Sequence, residues 1–199
     1  MIASLAPAFA EPVLEAQSAF RAVMNAISRP GLVQELRRDL SPPAPLSAGA
    51  AIVALTLFDY ETPDWLDASL AGADDVSRWL RFHTGAPITS DPQQAAFALI
   101  ADAVGSPDFI GFALGTLDYP DRSTTLILQV ESLSDGHTMA LNGPGIDGVQ
   151  MMTAGPLPEN FVRRMTDNRA LSPRGVDVLL VTDDAVAAVP RSTRIEGSA

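Results

Sequence analysis

Three short stretches of the chain hold side chains able to do chemistry. Arg81-Phe82-His83-Thr84-Gly85 places a guanidinium, an imidazole and a hydroxyl within four positions. Together they have the donors to hold a phosphate or phosphonate oxygen. At the end of a helix the same residues complement the dipole and cap carbonyls, and that structural reading comes first. Pro190-Arg191-Ser192-Thr193-Arg194 gathers two guanidiniums and two hydroxyls in one loop. It is a candidate anion site or, equally, an interface patch, since arginine is enriched at both. Gly143-Pro144-Gly145-Ile146-Asp147-Gly148 matches G-x-G-x-x-G. That motif needs a helix starting within it, so that the helix N-terminus meets a pyrophosphate. Residues 149–154 are too few for such a helix before Gly155-Pro156, so a tight turn with positive φ is expected.

Metal and hydrolytic chemistry find less support. The two histidines, His83 and His137, are far apart, and no carboxylates have metal-loop spacing, so no metal site is expected. No G-x-S-x-G elbow is present for a serine hydrolase.

Composition narrows the field further. The 199 residues contain no cysteine, which removes disulfides, cysteine-ligated zinc, iron–sulfur clusters and a thiol nucleophile. All 13 basic residues are arginine, so there is no Schiff-base lysine and no Walker-type phosphate lysine. The net charge of −11 opposes nonspecific binding to nucleic acid or anionic membranes. Residues 1–10 are apolar, but the first basic residue is Arg21, so a signal peptide's positive n-region is missing. The next apolar run, 49–58, is far short of the ~18 residues that span a membrane. A cytoplasmic protein is expected, with no cofactor and no membrane partner.

The elements that must position these residues read as follows. Val13, Ala16, Phe20, Val23, Met24 and Ile27 form the apolar face of a first helix, ended by Arg29-Pro30-Gly31. A short extended piece, 32–36, precedes the proline-rich connector 41–45. Ser47 is the expected N-cap of a wholly apolar, buried helix over 48–58. Trp65-Leu66 begins a short strand, and 74–83 is amphipathic, with Gly85 at its C′ position. Strands are expected at 95–101 and 124–130, and a helix over 107–114. Ser134-Asp135-Gly136 reads as a hairpin turn whose second arm is 137–141. A helix over 158–167 and a last strand pair, 176–182 and 185–189, complete the chain. The expected fold is one α/β domain spanning 1–199, a three-layer α/β/α sandwich with a mixed sheet.

The ordered set of motifs resembles the PhnH family. It comprises Phe20-Arg21 with Met24, Ser28-x-Pro30-Gly31, Leu55-x-Leu57 and Asp59-x-x-Thr62-Pro63. It continues with Arg81-Phe82-His83-Thr84-Gly85-Ala86-Pro87, the strand 125–130, Leu141-x-Gly143-Pro144-Gly145-Ile146, Pro173-x-Gly175-Val176-Asp177 and Pro190-Arg191-Ser192-Thr193. The resemblance runs from about residue 11 to 196. It implies a scaffold similar to pyridoxal-phosphate-dependent transferases, and action in phosphonate catabolism as a subunit of the carbon–phosphorus lyase core complex. The implied partners are the PhnG, PhnI and PhnJ subunits, with a homodimer when isolated. The implied reaction displaces adenine from ATP with an alkylphosphonate, giving ribose 1-methylphosphonate 5-triphosphate from methylphosphonate. The implied role is structural or co-catalytic. The alternative is an independent enzyme or binding protein that takes a phosphorylated substrate through Arg81, His83, Thr84, Arg191 and Arg194. A transferase-like scaffold without lysine has no amine to hold pyridoxal phosphate covalently.

Overall fold

A computed structural model describes residues 8–36 and 40–197. Most of the leading apolar stretch, residues 1–7, lies outside the described residues. A six-stranded mixed sheet forms the centre. Its strands are β1 (Gln34–Glu35), β2 (Asp64–Leu66), β3 (Phe97–Ile100), β4 (Thr125–Gln129), β7 (Asp177–Val181) and β8 (Ala185–Val189). Their spatial order is β1-β8-β7-β4-β3-β2, parallel from β7 to β2 and antiparallel at β8 and β1. β3, β4 and β7 are nearly continuous apolar runs because both faces are covered.

One face carries the helices α1 (Pro12–Ser28), α2 (Ala48–Leu57), α3 (Ala68–Ala71) and α4 (Asp74–Thr84). Ser47 caps α2 as expected, its Oγ accepting from the Ala50 N–H at 3.2 Å. α2 is buried along six of its residues because small side chains let it lie close to the sheet. An added Cβ on Gly49 would overlap the Thr182 carbonyl oxygen. α1 packs through small residues too, burying Ala19, Val23 and Ala26. The expected apolar face is therefore only half right: Val13, Phe20 and Met24 point to solvent.

The opposite face departs from a helical layer. It is covered by an antiparallel sheet of β5 (Ser132–Asn142), β6 (Gln150–Gly155) and β9 (Arg194–Gly197), together with α5 (Phe161–Ala170). Met139, Leu141, Met152, Ala154 and Ile195 supply the sheet's inner side. The expected hairpin at Ser134-Asp135-Gly136 is instead an irregularity within β5, where pairing with β6 shifts between Ser132 and His137. Ser132 Oγ accepts from the Ser134 and Asp135 N–H groups there, and Gly136 (φ +117°) lies against the Ala154 carbonyl. Turn-type residues thus mark a bulge.

Two helix expectations also shift. Only the 3₁₀ turn Phe109–Gly111 forms within 107–114, and Phe109 and Phe112 both turn inward. A three-residue repeat stacks them on one side. The final helix starts at Phe161 rather than 158, after a turn closed by Phe161 N–H to the Pro158 carbonyl.

Candidate functional site

Thr84 is taken up by the end of α4. Its hydroxyl donates to the Leu80 carbonyl at 2.8 Å and accepts from the Ala86 N–H at 3.1 Å. Gly85 closes the helix in the left-handed conformation (φ 73°). His83 lies against Trp79 and Phe82, with ring centroids 4.7 and 4.9 Å away. Its Nε2 is buried with no hydrogen-bond partner among the described residues, and burial lowers its pKa below the ordinary value, favouring the neutral ring. The Arg81 carbonyl accepts from the Gly85 N–H at 3.1 Å, while its exposed guanidinium bonds no group among the described residues. The hydroxyl, imidazole and guanidinium therefore serve three different surroundings.

Arg191 is held by neighbours within the fold. Its Nε donates to Asp177 Oδ1 (3.1 Å) and its other nitrogens reach Asp177 Oδ2, the Pro120 carbonyl (2.7 Å) and Ser123 Oγ. Its backbone N–H also donates to Asp177 Oδ1 at 2.8 Å. This fork ties the loop after β8 to the start of β7 and the turn before β4, and it commits four of the guanidinium's five N–H donors. Arg194 stands apart on β9, exposed and in register with Asn142. Arg81 follows β2, at the far side of the sheet from Arg191, which follows β8. The structure does not bring the two arginine groups together.

The glycine-rich stretch is the tight turn joining β5 to β6, and no helix follows it. Gly145 has φ +83°, and a Cβ there would stand 2.2 Å from the Ser28 carbonyl oxygen. Only glycine fits, and the reason is contact with the end of α1. Among the described residues no three His, Asp or Glu side chains gather as a metal site, and no helix is long and apolar enough to cross a membrane.

Sequence reasoning missed two acidic residues that the fold singles out. Asp67 is buried and sits where the chain leaves β2 towards the helical face. Its Oδ1 accepts from the Leu70 N–H (2.9 Å) and its Oδ2 from the Ala101 and Asp102 N–H groups (2.8 and 3.0 Å) just after β3. β2 runs on to the helical face and β3 to the opposite one, so Asp67 fills the point where the connections diverge. Open α/β sheets hold ligands at such points. Beside it, at the carboxyl ends of β3, β4 and β7, a crevice of about 540 Å³ is lined by Ser47, Asp102, Gln129, Glu131 and Asp183 among others. Gln129 Oε1 accepts from the Ser47 N–H (2.8 Å) and Asp183 Oδ1 from the Ala48 N–H (3.1 Å), so the start of α2 already has acceptors.

Asp64 is the second. It is 0% exposed, and neither carboxylate oxygen has a partner among the described residues. Its backbone is held on both sides, donating to the Pro87 carbonyl and accepting from the Thr89 N–H. Burial first, and the nearby Asp59 charge second, push its pKa up to about 8. One sequence signal pointed to it. Asp64 shares a strand face with Leu66, a charged residue at an inward position of period two.

The family model described as bacterial phosphonate metabolism protein (PhnH) matches residues 7–196. A Rhizobium meliloti (strain 1021) protein named alpha-D-ribose 1-methylphosphonate 5-triphosphate synthase subunit PhnH is 43% identical over 189 residues, covering 95% of this chain and 94% of that protein. A Stutzerimonas stutzeri protein, HtxG, named as a putative C-P lyase subunit, is 28% identical over 183 residues, covering 90% of this chain and 85% of its own length. With a match of that extent and order, the chain belongs to the PhnH family of bacterial phosphonate metabolism proteins.

Proposed function

We propose that this chain is a positioning subunit of a synthase that forms ribose 1-methylphosphonate 5-triphosphate, and that the reacting groups come from other subunits. The observation that carries this reading is the crevice at the carboxyl ends of the parallel strands. Asp67 fills the divergence point with a carboxylate, and Asp102, Glu131 and Asp183 rim the opening. A triphosphate and a phosphonate are both anions, so this field repels the substrates from the place where such a sheet would hold them. Arg191 cannot offset it, because its bonds to Asp177, Pro120 and Ser123 hold it at the opposite, amino end of the parallel strands. The reading includes cytoplasmic assembly with PhnG, PhnI and PhnJ, and a homodimer of the isolated chain. It also takes the scaffold as transferase-related, with pyridoxal phosphate excluded as a covalent cofactor because the chain has no lysine.

The test is adenine release from ATP and methylphosphonate, followed by chromatography. The purified chain alone is expected to release none, and the full set of subunits to release adenine only when this chain is included. Turnover by the chain alone would make it an independent enzyme and overturn the proposal.

A further inference from the structure

The outward face of α1 presents large apolar side chains to solvent. Val13, Leu14, Phe20 and Met24 are 81%, 65%, 47% and 45% exposed. Intervals of seven and four residues set Val13, Phe20 and Met24 in one line along the helix. Several large apolar residues on one exposed helical face mark an association surface. The same face carries one charged side chain within the helix, Arg21, which is exposed and bonds no group among the described residues. Glu15, the helix's acidic residue, is half-buried on the other side.

We propose that this face docks onto a different subunit, one presenting an apolar strip with a carboxylate opposite Arg21. The inference rests on the reading that the chain works within a complex. A second copy is the poorer occupant. An antiparallel α1 pair centred between Val13 and Met24 would match those two residues, but it would also bring both Arg21 side chains onto one seam. At 1.5 Å rise per residue their Cα atoms would lie about 7–8 Å apart along the helix axis. Within the helix no carboxylate on that face answers them, and like charges at an interface oppose association. A foreign carboxylate removes the conflict and uses the free guanidinium.

The experiment compares full-length wild type with Phe20→Glu/Met24→Glu and Arg21→Glu, each co-expressed with the other synthase subunits. Subunit recovery, melting temperature and the isolated chain's mass by light scattering are recorded. Both variants should melt as wild type does and keep its isolated mass, while recovery of the other subunits falls by about tenfold or more. Arg21→Lys should restore most of it. Should the glutamates lower the melting temperature, Phe20→Gln/Met24→Gln gives the same comparison without added charge. Unchanged recovery in the variants overturns the proposal, and so does a fall in isolated mass, which would assign the face to a second copy. Wild type recovering no other subunit would instead refute complex membership itself.

Discussion

Replacing Asp64 with asparagine should remove a pH-dependent load from the folded state. The carboxyl is 0% exposed with no donor to either oxygen, and its pKa stands at about 8 against an ordinary 3.8. Between those values the folded chain holds a proton that the unfolded chain has released. Stability from this group is therefore fully present below the unfolded pKa, and is lost as pH rises towards the folded one. Each pH unit in that window takes away about 1.4 kcal/mol. From pH 6 to pH 8 the loss in wild type comes to about 2–3 kcal/mol, allowing for partial titration near the upper end. Asp64→Asn would keep the shape and leave a buried amide without partners, costing about 1–3 kcal/mol at every pH. Urea unfolding of both proteins at several pH values measures the difference. The variant should gain on wild type by about 2–3 kcal/mol between pH 6 and pH 8, equivalent to about 5–10 °C in melting temperature. A stability difference that stays constant with pH would refute the assignment of a neutral, enclosed Asp64.

Other perturbations follow from the same geometry. Arg191→Ala should cost about 2–4 kcal/mol, because it strands Asp177 and Ser123 in a mostly buried setting; Arg191→Lys should recover less than half, lacking the planar fork. Gly145→Ala should cost at least about 2 kcal/mol by thermal melting, since its φ is left-handed and the Ser28 carbonyl occupies the Cβ position. Arg81→Ala should lower stability by about 0.3–1 kcal/mol and leave turnover of the complex intact, as expected of a cation complementing the end of α4. Loss of turnover with unchanged folding would place Arg81 against substrate. His83 should titrate below an ordinary histidine when followed by NMR, and a normal or raised value would contradict its enclosure beside Trp79.

Local signals made much of the fold legible. The unbroken apolar run after Ser47, the Gly85 stop and the Asp183-Asp184 turn each report a structure made by neighbours in sequence. What escaped depends on partners far along the chain. Arg191 looked available in a loop, but its bonds go to Asp177, Pro120 and Ser123, 14 to 71 positions away. Asp67 is both a local cap for Leu70 and a distant acceptor for Ala101 and Asp102, and only the pairing of β2 with β3 brings those together. Phe20 and Met24 misled because hydrophobic periodicity marks apolar faces without saying which one packs. The close approach of α1 to α2 selects Ala19, Val23 and Ala26 on steric grounds. Ser134-Asp135-Gly136 has turn chemistry, which a bulge uses equally well.

The claim that this chain positions rather than reacts is tested most directly at its own crevice. Asp102→Asn, Glu131→Gln and Asp183→Asn combined remove the rim carboxylates while keeping hydrogen-bond acceptors, including that for the Ala48 N–H. The kcat for adenine release by the complex carrying this triple variant should stay within about twofold of wild type, because no transition-state contact is removed. A fall of about a hundredfold or more, with assembly and melting temperature unchanged, would contradict the account and place the crevice of this chain in the active site.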